Sequence, residues 1–102
     1  MHAIEILVGL EVKDDATYAE YRAQMTPLLE AHGGRFVVDV RVAEVLRSPG
    51  RATINRLFTI RFPSQERLDA FFAHPEYVAI RRRWFEPSVG DVDRLATYHV
   101  LG

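Results

Sequence analysis

The sequence contains no cysteine, which removes disulfides, thiolate nucleophiles and Cys-ligated zinc or iron–sulfur centres from consideration. Neither charge sign is in surplus: 13 Lys and Arg stand against 14 Asp and Glu, a formal net charge of −1. No broad field therefore recruits nucleic acid or an anionic membrane, and no basic helix of the kind that reads base edges occurs. A phosphate-binding glycine loop, a nucleophile elbow and a serine hydrolase motif are also missing. The imidazoles are His2, His32, His74 and His99, and no two are spaced to ligate a metal from one helical turn. No metal and no cofactor are expected. The apolar stretch from Met1 to Val12 is broken by Glu5 and Glu11, which makes it unfit as a signal peptide or a bilayer span, so a cytoplasmic location is expected.

What is present is a chain of 102 residues, 48% hydrophobic and 26% charged, ordinary values for a folded soluble protein. It has no low-complexity run and no internal repeat. The length fits one domain over residues 1–102, and such a domain buries only roughly two-thirds of its unfolded surface, so a further interface would help it.

Alternation with a period of two marks the strands. Ile4, Ile6, Val8, Leu10 and Val12 share one face of the first, with Glu5, Leu7, Gly9 and Glu11 on the other. Asp14 or Asp15 caps a helix whose Tyr18, Tyr21, Met25, Leu28 and His32 form one stripe, with a bend expected near Pro27 and a stop at Gly33 and Gly34. A second strand sets Phe36, Val38, Val40 and Val42 against Arg35, Val37, Asp39 and Arg41. Ser48, Pro49 and Gly50 give a turn, and a third strand runs through Ile54, Arg56, Phe58, Ile60 and Phe62. Ser64 caps a second helix carrying Leu68, Phe71 and Phe72, which Pro75 divides from a segment carrying Tyr77, Ile80 and Trp84. Pro87 and Gly90 mark a loop before a last strand over 94–101 whose buried face the periodicity leaves open. The order strand, helix, strand, strand, helix, strand is the ferredoxin-like α+β arrangement, βαββαβ: a four-stranded antiparallel sheet with two helices on one face.

Gly33, Gly34 and Arg35 closing the first helix, Phe62, Pro63 and Ser64 opening the second, and His74, Pro75, Glu76 and Tyr77 inside it resemble the DUF1330 family of unknown function, within the dimeric α+β barrel superfamily. The resemblance spans nearly the whole chain. It implies a homodimer in which two sheets face each other and enclose their half-charged faces, with the helices outside. It also implies a range of activities that includes cofactor-independent monooxygenases and isomerases. Against the antibiotic biosynthesis monooxygenase group, the chain has Phe62 where a tryptophan is frequent and Glu76 where a histidine is frequent, with His74 two residues earlier.

Three groups carry candidate chemistry. Arg41 and Arg61, read as pointing to the same face as Asp39 and Glu5, would bind a carboxylate through forked hydrogen bonds or form an ion-pair network across the dimer. His74, Glu76 and Tyr77 gather near the helix break, where proton exchange competes with the simpler role of satisfying freed backbone groups. Tyr18, Tyr21, Trp84 and Phe85 would line a pocket between helices and sheet or pack the core. Of Arg81, Arg82 and Arg83, only Arg81 shares the Tyr77 stripe, because neighbouring helical residues point about 100° apart. The expected function is binding of a small organic molecule, an acid or an aromatic, between sheet and helices of a homodimer. The alternatives are a cofactor-independent monooxygenase or isomerase with His74 or Glu76 as general base, and a non-catalytic protein-interaction module.

Overall fold

The computed structural model describes residues 2–49 and 53–101. Its elements are β1 (His2–Val12), α1 (Asp15–Ala31), β2 (Arg35–Arg41), β3 (Arg56–Phe62), α2 (Gln65–Ala73), α3 (Pro75–Ile80) and β4 (Val89–Leu101), with a π-helical turn over Arg81–Phe85 continuing α3. The strands form one antiparallel sheet in the order β2-β3-β1-β4, the ferredoxin-like topology. All helices pack on one face. There Ile4, Ile6, Val8 and Leu10 of β1 and Phe58, Ile60 and Phe62 of β3 meet Tyr18, Tyr21, Met25 and Leu29 of α1, Leu68 and Phe71 of α2, and Tyr77 of α3. Burying each of these large side chains contributes about 1.5–3 kcal/mol.

Local chemistry sets the helix ends. The Asp14 carboxylate accepts from the Thr17 backbone N–H at 3.1 Å and from its hydroxyl at 2.8 Å. Ser64 Oγ accepts from the Arg67 N–H at 3.2 Å. α1 runs through Pro27, beside which the Thr26 hydroxyl donates to the Arg22 carbonyl at 2.5 Å. It stops at Gly33, whose φ of 77° only glycine adopts without strain. Of the turn read at Ser48, Pro49 and Gly50, Gly50 lies outside the described residues.

Three strand readings need correction. In β2, Phe36 pairs with Ile60 but Val38 pairs with Thr59, so Val37 is an extra residue. A bulge of this kind inverts the faces beyond it: Asp39, opposite Phe58, turns to the helices, and Val38 and Val40 turn to the open face. Ile54 precedes β3 and lies over Gly9 on the open face, where a Cβ on Gly9 would sit 2.8 Å from its side chain. β4 starts at Val89, five residues before the expected boundary. It also carries an extra residue at Leu95, between the pairs Leu7↔Ala96 and Val8↔Arg94, which turns Arg94 and Val92 toward the helices and leaves Ala96, Tyr98 and Val100 on the open face.

Candidate functional site

Between the sheet and the helices, towards the β4 edge, lies a cavity of about 440 Å³, within the range of roughly 300–1,000 Å³ typical of small-molecule sites. Its floor is Ile6, Val8 and Leu10 of β1 with Phe58 and Ile60 of β3; its roof is Tyr21, Phe72, Tyr77, Val78 and Phe85. The rim is mostly charged: Arg81, Arg82 and Glu86 come from the π-helical turn and its end and Arg94 from β4, which also contributes the apolar Val92.

The polar feature inside is a pair of phenols. The Tyr21 and Tyr77 hydroxyls are 2.9 Å apart, with both rings buried. Burial pushes the Tyr77 phenol up against the lowering effect of its Tyr21 hydrogen bond, and burial followed by the Tyr77 hydroxyl drives the Tyr21 phenol far above the usual range. Both stay protonated. One proton is used in the bond between them, so the pair keeps one O–H able to donate into the cavity.

The π-helical turn places the rim. Its i→i+5 hydrogen bond runs from the Glu86 N–H to the Arg81 carbonyl at 3.0 Å, and such insertions recur at functional sites. Ser88, fully buried, anchors its end: the hydroxyl donates to the Trp84 carbonyl at 2.7 Å and lies 3.0 Å from that of Phe85. The Ser88 carbonyl accepts from the Lys13 and Asp14 N–H groups at 2.8 and 3.2 Å. Arg81 stands over the Phe85 ring at 5.6 Å and Arg94 over Phe72 at 5.7 Å, whereas Arg83 leaves the cavity to cover Trp84 at 4.9 Å. Among the described residues, Arg81, Arg82 and Arg94 have no carboxylate within ion-pair distance.

Of Arg41, Arg61, His74, Glu76 and Tyr77, the structure brings only Tyr77 to this cavity, while Arg81, read onto the Tyr77 stripe, stands at its rim. His74 joins α2 to α3: its backbone N–H donates to the Phe71 carbonyl at 3.2 Å and its Nδ1 accepts from the Glu76 N–H at 3.1 Å. Glu76 is exposed. Arg61 lies on the open face, with its Nε 2.7 Å from Glu5 Oε1 and the Tyr98 hydroxyl donating to the other oxygen. Glu5 is only 5% exposed. Burial alone would raise its carboxyl, but the hydrogen bonds from Tyr98 and Arg61 and the charges of Arg61 and Arg35 hold it below the usual carboxylate range.

Arg41 does not join Arg61. It follows the β2 bulge, pairs in register with Arg56 and borders a polar depression with Asp15 and Asn55. Asp39 likewise leaves the Glu5 side and is held by Arg56 through two bonds of 2.9 and 3.1 Å and by Arg22 at 3.1 Å. Of the aromatic set, Tyr21 and Phe85 line the cavity, while Tyr18 packs toward Arg22 and Arg56. Sequence reasoning missed Arg94 and Arg82. Arg94 follows a loop signal at the margin of a strand with no readable inner face, so only its register beside Val8 reveals it.

Comparison with solved structures shows the fold. A protein of unknown function from Rhodopseudomonas palustris superposes with a TM-score of 0.78 at 17% identity, covering 97% of this chain and 81% of that one. SnoaB, a cofactor-independent oxygenase from Streptomyces nogalater, gives 0.63 at 12% identity over 100% and 94% of the two chains. A dimeric protein of unknown function with a ferredoxin-like fold from Bacteroides fragilis gives 0.57 at 16% identity over 96% of each. No curated protein matches the sequence. The family defined as a domain of unknown function, DUF1330, matches residues 6–92, the greater part of the sequence, and the chain belongs to this family.

Proposed function

We propose that this protein binds a small organic molecule in the cleft between the sheet and the helices. The observation that carries this reading is the cavity itself: an apolar floor and roof, a buried phenol pair with an unspent O–H, and a charged rim. A thermal-shift screen of small aromatic and aliphatic compounds tests it. Compounds that raise Tm should lose their effect in Val8→Phe, which fills the floor; shifts that survive this substitution would place binding elsewhere.

The assembly we propose is a homodimer with the open sheet faces together. Val38 and Val40 are 46% and 44% exposed and Tyr98 38%, an apolar set around the internally paired Glu5 and Arg61, and such a face calls for cover. The Bacteroides fragilis protein of the same fold is described as dimeric. Light scattering should give twice the chain mass for the wild type and a single chain mass for Val38→Lys combined with Val40→Lys. A monomeric wild type at micromolar concentration removes the dimer without touching the cleft. The likeness to the oxygenase supports the fold alone, and no histidine lines the cavity among the described residues, so binding is proposed ahead of turnover.

A further inference from the structure

We infer that the ligand of the cleft is an amphiphilic organic acid, with one anionic group held at the rim by Arg81, Arg82 and Arg94 and an apolar body lying on the Val8 and Phe58 floor. This rests on the cleft reading above and adds the chemical class. The first argument is charge. A chain with a formal net charge of −1 places three guanidinia and only one carboxylate, Glu86, around one opening. At the opposite edge of the same sheet face, Arg22 and Arg56 both bind Asp39. The rim cations lack such a partner among the described residues, and low-dielectric walls beside them concentrate their field on whatever occupies the mouth.

The second argument is orientation. Arg81 and Arg94 lie over the rings of Phe85 and Phe72 at 5.6 and 5.7 Å, within cation–π range, and with no carboxylate partner among the described residues their N–H groups are available for the planar fork a carboxylate offers. These two arginines come from different elements, the π-helical turn and β4, so together they constrain an acid group more than consecutive helical residues would. At the other end, the spare O–H of the Tyr21 and Tyr77 pair gives a neutral donor, suited to a carbonyl or hydroxyl oxygen on the far end of the ligand. Glu86 on the same rim disfavours a group with a second negative charge.

Calorimetric titration with phenylacetate, phenylpropanoate and hexanoate, each beside its neutral amide, tests the class. The acids should bind about tenfold tighter than the amides at low salt, with the gap closing as salt is raised. Arg81→Gln with Arg94→Gln should erase the gap while leaving amide binding, and Arg83→Gln, outside the cavity, should leave both unchanged. Equal binding of acids and amides by the wild type overturns the acid class and leaves the cleft standing. An acid preference that survives the double substitution, or that is lost equally in Arg83→Gln, overturns the assignment to these arginines. Binding of either kind that persists in Val8→Phe, or binding of none of the six compounds, goes against the cleft reading itself.

Discussion

Two groups of arginines lie over the same face of this sheet, at opposite edges, and they differ in what they hold. At the β2 edge, Arg22 and Arg56 converge on Asp39, and Arg22 also covers Phe36 at 3.7 Å. At the β4 edge, Arg81, Arg82 and Arg94 surround a cavity and meet no carboxylate among the described residues. Residue type is the same; the first group is spent on the fold, and the second is the one we assign to a ligand. A count of charges along the chain treats them alike, and only their partners separate them.

Substitutions at the two edges sharpen this contrast. The largest effect belongs to Asp39→Ala, which strands two guanidinia that are only 17% and 19% exposed. A loss of about 2–3 kcal/mol is expected in urea unfolding, less than for a fully buried pair because water reaches the site. On the open face, Glu5→Gln should cost about 1–2 kcal/mol by weakening the bonds from Arg61 and Tyr98. Tyr21→Phe should cost about 1 kcal/mol, since one buried hydroxyl loses its partner. Arg94→Gln should change stability by no more than about 0.5 kcal/mol, as expected of an exposed cation without an ion pair. An Arg94 effect as large as that of Asp39 would abolish the distinction.

Acid titration adds an independent measure. Burial raises the Asp39 carboxyl, but the Arg56 hydrogen bond and the Arg22 charge outweigh it, so Asp39, like Glu5, is held below its ordinary value. Stability from these groups is complete above the unfolded carboxylate range near about pH 4–4.5 and drains away as pH falls through the lower folded values. Stability measured from pH 6 downward should fall less steeply in Asp39→Asn and in Glu5→Gln than in the wild type.

Strand order, the caps at Asp14 and Ser64, the stop at Gly33 and the helix break at Pro75 were legible in the sequence, because each depends on a local preference or a simple period. A pocket between helices and sheet was one of two readings of the aromatic set, beside core packing, and its lining was not legible. An extra residue at Val37 reverses Asp39 and Arg41, and another at Leu95 delivers Arg94 to the cavity. A bulge is a tertiary solution to strand twist with no fixed residue signature, so alternation continues through it on paper while the side chains change sides. Tyr77 was found because it lies in α3, ahead of the π-helical turn, where ordinary helical spacing holds; the turn then shifts the stripe by one residue, so Phe85 and not Trp84 lines the cavity.

The Ser88 carbonyl, which receives two amide protons from Lys13 and Asp14, ties the end of the π-helical turn to the junction between β1 and α1. That stretch behaves as a door frame, not a door. A guest of the class proposed above would meet a rim fastened at this end by backbone hydrogen bonds, with the width and charge of the gap as grounds for selection.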